Sequence, residues 1–202
     1  MDAIQIRGAG PADAPFLTSM LVEAVNFSSD RQQDPAVVLS DPQVAHYIAG
    51  WPRDRDRGLV ATTDHGLPLG ACWLRYRLVS NPGYGFIAPD TPELTIGVCR
   101  HARGRGIGRA LLRAIAAEAR ADGLTTLSLS VEHGNHAAFC LYRSEGWRTV
   151  KSEIDADTMV LDLTASPPNT SVTGRAARPS RSPQTLFAHV TMPVYGSSLP
   201  HE

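Results

Sequence analysis

The chain has 202 residues, of which 43% are hydrophobic, and its charged residues nearly cancel to a formal net charge of −1. This length allows one main domain with a sizeable core and an additional segment. The charge balance does not favour a nucleic-acid-binding surface, which would carry an excess of lysine and arginine. A membrane span is not expected either, because no apolar run reaches the roughly 18 residues that such a helix needs.

The cysteines and the first residues bear on the compartment. Cys72, Cys99 and Cys140 are widely spaced and form no metal-type pair. Their positions in apolar patterns predict free, buried thiols, which are typical of a reducing environment. The chain does not start with a basic run followed by an apolar stretch, so no signal peptide is predicted. We therefore expect a cytoplasmic protein without a metal site.

The first half of the chain alternates strand and helix patterns. Ile4 and Ile6 alternate with polar neighbours and predict a short strand, and a helix with one apolar face follows from Asp13. A second helix is predicted over residues 35–48, with a break near Asp41 because Pro42 restricts the residue before it. Residues 58–64 and 69–78 predict an antiparallel hairpin around the turn at residues 64–66.

The second half begins with a loop over residues 81–92 and a strand over 93–100. A helix is predicted over residues 109–122, with Gly123 placed to end it in a left-handed cap. Alternating leucine and serine predict a strand over 127–131. Asn135 is a good N-cap for a helix over 137–145, and short strands follow at 147–150 and 159–163. The predicted order is β, α, α, β, β, β, glycine turn, α, β, α, β, β.

The composition changes after Thr164. The following residues contain six prolines and many serines and threonines, and they lack a helical period. Such a segment buries little apolar surface, so we predict a folded domain over residues 1–164 and a disordered tail over 165–202. Within the tail, residues 186–195 are apolar enough to dock as an extra strand.

A glycine-rich turn between a predicted strand and a predicted helix is the most informative motif. It reads Arg103-Gly104-Arg105-Gly106-Ile107-Gly108. Glycine lets main-chain N–H groups approach an anion, and a helix N-terminus adds partial positive charge. A P-loop would need lysine and a hydroxyl residue after the last glycine, and a dinucleotide fingerprint would need glycine at position 111. Both readings fail, which leaves a phosphate-binding turn or a plain connection.

A second motif strengthens the phosphate-binding interpretation. The pattern Arg-x-x-Gly-x-Gly at residues 103–108 resembles the coenzyme A pyrophosphate turn of the GNAT acyltransferases. Residues 135–147 resemble that family's Asn-x-x-Ala-x-x-x-Tyr-x-x-x-Gly-Phe segment, with Trp147 in place of phenylalanine. The resemblance covers residues 1–163. It implies an α/β (α+β) GNAT fold, with a mixed, mostly antiparallel central sheet that splays between the fourth and fifth strands and is flanked by helices.

The resemblance also implies a site for acetyl-CoA. Main-chain N–H groups from Arg105 to Ala110 are expected to bind the pyrophosphate, with added charge from Arg100, Arg103 or Arg105. The pantetheine arm is expected to pair with the main chain of Val98 and Arg100, and Gly97 to ease close approach. The full expected cofactor-binding set is Val98, Cys99, Arg100, Arg103, Gly104, Arg105, Gly106, Ile107, Gly108, Arg109, Ala110, Asn135, Ala138 and Tyr142.

The chemistry implied is attack of an amine on a thioester. Tyr142 matches the family's general-acid position, since a phenol is protonated at neutral pH and can donate to a thiolate. Glu93 matches a position where many relatives place a carboxylate base, and a solvent-exposed strand-end acid is its alternative reading. His101 and His133 are weaker candidates for the base, and Cys99 is a weak candidate for a nucleophile.

The variable segments are expected to form the acceptor pocket. Tyr47, Trp51, Tyr84 and Phe86 are candidates for its wall. The chain is therefore predicted to be an N-acetyltransferase for a small-molecule or peptide amine, with no nucleic-acid or membrane partner and no metal. Relatives often dimerise, so a homodimer is a candidate assembly. A non-catalytic acyl-CoA sensor and a partner-binding module acting through the tail are the alternatives.

Overall fold

One seven-stranded sheet organises the part of the chain that the computed structural model describes, residues 3–28 and 32–165. The strand order is β1-β2-β3-β4-β5-β7-β6. The strands are β1 (Gln5–Gly8), β2 (Arg57–Thr62), β3 (Pro68–Arg75), β4 (Glu93–Val98), β5 (Thr126–Glu132), β6 (Arg148–Ser152) and β7 (Ala156–Asp162). The helices are α1 (Ala14–Val25), α2 (Pro35–Ser40), α3 (Pro42–Ala45), α4 (Ile107–Ala121) and α5 (His136–Ser144). The predicted tail and the strand at 186–195 lie outside the described residues.

The observed elements confirm the predicted order, with shifted ends. β3 stops at Arg75 instead of residue 78, since the chain there leaves the sheet and enters the loop over residues 76–92. β4 stops at Val98 instead of residue 100, because residues Arg100–Ala102 form a 3-10 turn. The predicted break in the second helix is confirmed: Asp41 ends α2, and its side chain accepts a hydrogen bond from the Gln43 amide at the start of α3.

The sheet is antiparallel except between β4 and β5. These two strands run parallel, and the register joins them at one pair only, Glu93 with Ser128. The Ser128 amide donates to the Pro92 carbonyl (3.1 Å) at the same end. β3 stays paired with β4 as far as Val98, and β7 with β5 as far as Glu132. The sheet therefore opens between β4 and β5, as the resemblance implied.

Helices cover both faces of the sheet. α4 packs against β2, β3 and β4 and buries the apolar stripe that its sequence predicts, led by Leu111, Leu112 and Ile115. α1 lies on the other face against β3 and β4 and buries Leu17, Met20 and Leu21. Each helix faces its own cluster of buried apolar side chains, so the sheet separates two hydrophobic cores.

Gly97 allows α1 to lie close to β4. A Cβ atom at this position would lie 2.2 Å from the Met20 carbonyl oxygen of α1. No real Cβ tolerates that distance, so the glycine is required by the contact between helix and strand. The expectation that its missing side chain serves a ligand is therefore corrected, because the space is filled by the helix backbone.

A buried ion pair anchors the segment after α3 to the sheet. The Arg75 guanidinium on β3 bonds to both carboxylate oxygens of Asp56, at 2.6 and 3.2 Å. The exposed fractions of the two side chains are 1% and 3%. Arg75 also donates to the carbonyls of His46 and Ala49, each at 3.0 Å. All three nitrogens of the guanidinium thus have hydrogen-bond partners, as a buried charge requires.

Candidate active site in the sheet opening

A cavity of about 1380 Å³ lies where β4 and β5 diverge. Its wall includes the start of α4, one side of α5, the end of α1 and the segment after β6. Site residues predicted from the sequence that contribute to the wall are Glu93, Val98, Arg103, Gly104, Gly106, Gly108, Arg109, Asn135, Ala138 and Tyr142. The fold therefore brings the glycine turn, the predicted acid and the predicted base to one space.

The glycine turn has the backbone that its sequence requires. Gly104 and Gly106 have φ values of 74° and 82°, in the left-handed region that a side chain disfavours. Gly106 is the N-cap of α4, so the next three amides have no carbonyl partner within the helix. The Ala110 amide, in contrast, donates to the Gly106 carbonyl (3.0 Å). The predicted set of free amides therefore loses Ala110.

All three guanidinium nitrogens of Arg103 bond to other groups of the protein. Its guanidinium forms an ion pair with Glu23 (2.7 Å) and also donates to the Glu23 carbonyl (3.1 Å). Further bonds reach the carbonyls of Phe27 (3.1 Å) and Val98 (3.2 Å). The side chain expected to contact phosphate instead ties the turn to the end of α1 and to β4.

Most other arginines of the turn also have partners. Arg109 and Arg113 each form an ion pair of 2.7 Å with Glu145, beyond the C-terminal end of α5. Arg100 donates to the side chain of Gln32. Arg105 is exposed and has no hydrogen bond or ion pair with any residue that the structure describes. Among the described arginines of this cluster, Arg105 is thus the one without a hydrogen-bond or ion-pair partner.

The main chain of β4 faces the opening at Val98. Ladder bonds alternate along a strand, and the Cys99 amide donates across to the Leu69 carbonyl of β3 (2.9 Å). The main chain of Val98 therefore faces the opposite side, toward β5. Arg100 cannot continue this edge as predicted, because it lies in the 3-10 turn and its carbonyl accepts from the Arg103 amide (3.3 Å).

Tyr142 projects from α5 between the core and the cavity. It is 7% exposed, contributes to the cavity wall and lies with its ring 6.0 Å from that of Trp147. Burial raises the pKa of its phenol well above the ordinary value, and nearby Cys72 adds to the effect. The hydroxyl therefore keeps its proton throughout the neutral range. Asn135 caps the same helix by accepting from the Ala138 amide (3.2 Å), as its position predicts.

Glu93 is buried at the paired end of β4 and β5. The side chain is 2% exposed, which contradicts the alternative reading of a solvated strand-end acid. Its Oε1 atom accepts from the Tyr47 hydroxyl and from the Gly85 amide, each at 2.7 Å. Burial raises the pKa of the carboxyl, while these two hydrogen bonds and the charge of Arg77 act against that rise. Oε2 is buried and has no partner among the described residues.

The loop between β3 and β4 packs against one side of this carboxylate, and Glu93 still contributes to the cavity wall. A Cβ atom at Gly83 would lie 1.8 Å from the Glu93 Oε2 atom, and one at Gly85 would lie 2.5 Å from the Leu129 carbonyl carbon. The Tyr84 amide donates to the Tyr47 hydroxyl (2.7 Å), and the two tyrosine rings stack with centroids 6.2 Å apart. The two glycines therefore allow the backbone to pack against Glu93.

The cavity wall includes only some of the aromatic residues predicted for the acceptor pocket. Tyr47 and Tyr84 contribute to its wall. Trp51 does not, because its indole donates to the Gly10 carbonyl (3.1 Å) and packs over Gly58. Phe86 is also absent from the wall that the described residues form.

The weaker candidates for catalysis lie elsewhere or have unsuitable chemistry. His101 and His133 do not contribute to the described wall, and His133 bonds to Asp157 (3.1 Å). Burial raises the pKa of the Cys99 thiol, which opposes a thiolate nucleophile. The prediction of three buried thiols is confirmed only for Cys72, because Cys99 is half-buried and Cys140 is exposed on α5.

Sequence reasoning missed two groups that surround Glu93. Tyr47 was expected in the acceptor pocket but not as a hydrogen-bond partner of this carboxylate. Arg77 was not singled out, although it interrupts an apolar strand pattern together with Arg75. Arginine at alternate positions of such a pattern is the signal that could have identified a buried charge.

The described residues contain no helix that is long and apolar enough to cross a membrane. They also contain no group of three or more histidine, cysteine, aspartate or glutamate side chains arranged to hold a metal ion.

Sequence comparisons identify related proteins. The sequence model of the acetyltransferase (GNAT) family matches residues 25–147. An L-methionine sulfoximine/L-methionine sulfone acetyltransferase of Pseudomonas paraeruginosa is 33% identical over 146 residues, which cover 70% of this chain and 78% of that protein. A protein of the same description from Pseudomonas aeruginosa is 33% identical over 147 residues, with the same coverage.

Solved structures give the same picture of the fold. The ribosomal-protein-alanine N-acetyltransferase of Brucella melitensis has a TM-score of 0.56 and 27% identity, covering 78% of this chain and 99% of that one. YncA of Salmonella typhimurium, solved with its cofactor acetyl-CoA, has a TM-score of 0.55 and 23% identity, covering 88% of this chain and 98% of that one.

Proposed function

Because the chain belongs to the acetyltransferase (GNAT) family, we propose that it transfers the acetyl group of acetyl-CoA to the amine of a small molecule. In this proposal Glu93 accepts a proton from the amine and Tyr142 returns one to the departing thiolate. The observation that carries it is a single cavity whose wall contains the N-terminus of α4, the Tyr142 phenol and the Glu93 carboxylate.

The residues present fit acetyl-CoA, which supplies an activated acetyl thioester when bound. The free amides at the start of α4 and the left-handed Gly104 and Gly106 form a cradle for a pyrophosphate. Arg105 is the uncommitted cation beside it. The Val98 amide faces the opening, where it can pair with an amide-bearing arm as a neighbouring strand would. Asn135 keeps its side-chain N–H groups for the same arm, since only its oxygen caps α5.

The roles of two arginines in cofactor binding should differ. We expect Arg105→Ala to weaken acetyl-CoA binding by about tenfold, since it removes a charge-assisted contact to phosphate. Arg103→Ala should change the dissociation constant by less than about threefold and raise the KM of the acceptor instead, because Arg103 holds Glu23 and Phe27 at the end of α1. Isothermal titration and steady-state kinetics measure the two quantities.

A larger loss of acetyl-CoA affinity in Arg103→Ala than in Arg105→Ala would contradict this assignment. It would mean that the Arg103 guanidinium exchanges Glu23 for phosphate when the cofactor binds. Arg113→Ala is a matched control, because this arginine lies on α4, beyond the turn, and pairs with Glu145.

The proton path follows from the two side chains. Oε1 of Glu93 is held by two donors, so Oε2 is the oxygen left to accept the proton. Because Oε2 is buried, the proton reaches it from the amine through water in this proposal. The raised pKa of this carboxyl makes it a stronger base than a solvated glutamate. Tyr142 keeps its proton until negative charge develops on the thiol sulfur, since its pKa is raised by burial. Attack by the amine then needs no acyl-enzyme.

An amine panel with Tyr142→Phe as the matched variant tests this function. The two Pseudomonas relatives support beginning the panel with L-methionine sulfoximine and L-methionine sulfone. We expect release of the CoA thiol with at least one small amine, and a loss of about 10² in kcat in the phenylalanine variant with unchanged acetyl-CoA binding. Thiol release is measured with a chromogenic thiol reagent.

Either of two results would count against the proposal. Saturable acetyl-CoA binding without transfer to any amine would favour the non-catalytic sensor. Full turnover by Tyr142→Phe would remove that residue from the proton path while leaving the function intact.

A cytoplasmic location belongs to the proposal and is supported by three free cysteines. The homodimer stays a prediction.

A further inference from the structure

Arg75 and Arg77 are both buried, but only Arg75 has a hydrogen-bond partner for each guanidinium nitrogen among the described residues. Arg75 has a bidentate partner in Asp56 and two carbonyl acceptors. Arg77 is 3% exposed, yet its one hydrogen bond within the described residues runs from Nη1 to the His46 carbonyl (3.2 Å). Its Nε and Nη2 atoms are buried without a partner there. A guanidinium in this state is costly, so its position calls for a compensating interaction.

The surroundings of Arg77 supply that interaction in the active site. Its guanidinium carbon lies 4.4 Å from the centre of the Tyr47 ring, which is a cation–π distance. The hydroxyl of the same tyrosine donates to Glu93 (2.7 Å). Arg77 and Glu93 are also close enough for each charge to favour the ionised form of the other. Arg77 is thus a buried positive charge near the Glu93 carboxylate. It contacts the Tyr47 ring, and the Tyr47 hydroxyl contacts the carboxylate.

Among the described groups that face Glu93, no other cation provides an unneutralised positive charge. Arg75 is its direct neighbour across β3 and β4, but Asp56 neutralises it. From the segment after α3 come Tyr47 and His46, and the pKa of His46 is lowered by burial and by Arg77, so it stays neutral. The loop before β4 contributes the Gly85 amide, and the residue paired with Glu93 on β5 is the uncharged Ser128.

We propose that Arg77 is a positioning residue for acetyl transfer, which acts through Tyr47 to keep the Glu93 carboxylate ionised, with Oε2 left to accept a proton. The proposal rests on the function above, in which Glu93 accepts the proton. It explains why a guanidinium remains mostly unpaired in the interior: its electrostatic partner is a carboxylate that must keep one oxygen available for chemistry.

The direct test is a titration of Glu93 in the intact protein. Carbon-13 labelling of the glutamate carboxyls gives one resonance for each residue, and the resonance missing in Glu93→Gln belongs to position 93. We expect its midpoint to move to higher pH in Arg77→Met and in Tyr47→Phe. Arg77→Lys keeps the charge and should stay near the wild-type midpoint. Arg57→Met, which removes an exposed arginine of β2, is the matched control.

The pH dependence of kcat provides a second test of the role of Arg77. At saturating acceptor, kcat of Arg77→Met should fall by about tenfold relative to wild type near pH 6 and by less than about threefold near pH 9. Two acceptors of different amine pKa separate the titration of the enzyme from that of the substrate. A loss of equal size at both pH values would indicate a merely structural role and overturn the proposal.

The remaining outcomes are equally decisive. An unchanged Glu93 midpoint in folded Arg77→Met contradicts the proposal. If that variant does not fold, as circular dichroism would reveal, Tyr47→Phe carries the test, because it keeps the ring against Arg77 and removes only the hydroxyl. An unchanged midpoint there also contradicts it. Absence of transfer to any amine would refute the proposed function instead, and the titration would still measure the coupling between Arg77 and Glu93.

Discussion

Glu93→Gln is expected to lower kcat by about 10³, since it removes the base while keeping the size of the side chain. The amide oxygen can still accept from Tyr47 and Gly85, so the local structure should persist. Acetyl-CoA binding should be unchanged, because the turn that would hold the pyrophosphate lies at the start of α4. Steady-state kinetics with the acceptor found in the panel, together with isothermal titration of acetyl-CoA, measure both effects.

Glu132→Gln is the matched control for this prediction. It replaces another carboxylate of the cavity wall, on β5 across the opening, and should change kcat by less than about threefold, as expected for a residue outside the proton path. The reverse pattern, with a large loss in Glu132→Gln and a small one in Glu93→Gln, would transfer the role of base to β5.

Asp56→Ala is expected to destabilise the fold by about 3–5 kcal/mol, because it leaves the buried Arg75 charge without its partner. The carboxylate also accepts from the Arg53 amide (2.9 Å), so the turn before β2 loses a contact as well. Chemical denaturation monitored by circular dichroism measures the free energy of unfolding. The double variant Asp56→Ala with Arg75→Met should recover part of the loss, since it removes the unpaired charge together with its partner.

Asp122→Ala provides the comparison at the surface. It removes the partner of Arg57 in an ion pair whose side chains are 49% and 45% exposed, at 3.0 Å. Such pairs contribute about 0–1 kcal/mol, so this variant should be close to wild type. Equal stabilities for Asp56→Ala and Asp122→Ala would mean that burial does not set the contribution of the inner pair.

Features encoded by neighbouring residues were predictable from the sequence. The glycines at 104 and 106 lie beside the helix that they introduce, and their left-handed backbone agrees with the motif. The apolar stripe of α4 repeats at helical spacing and is buried as predicted. In each case the determining residues are less than about four turns apart, within the range of local periodicity.

Features that depend on distant partners were not predictable in this way. Glu93 is held by Tyr47, which precedes it by 46 residues, and strands β2 and β3 lie between them in the chain. Arg103 is neutralised by Glu23, which precedes it by 80 residues. A residue type indicates what chemistry is available, but the partner that occupies or exposes it is set by tertiary packing. The basic cluster of the turn was overestimated for this reason.

The gap between β4 and β5 creates two strand edges in the middle of a sheet. An exposed edge ordinarily invites pairing with a strand from another molecule, which leads to aggregation. Here each edge faces the other across a cleft bounded by α1, α5 and the loop before β4. Unlike the outer edges of the sheet at β1 and β6, these two edges line a cavity. The gap therefore leaves main-chain groups such as the Val98 amide unpaired inside the cleft and not at the rim of the sheet.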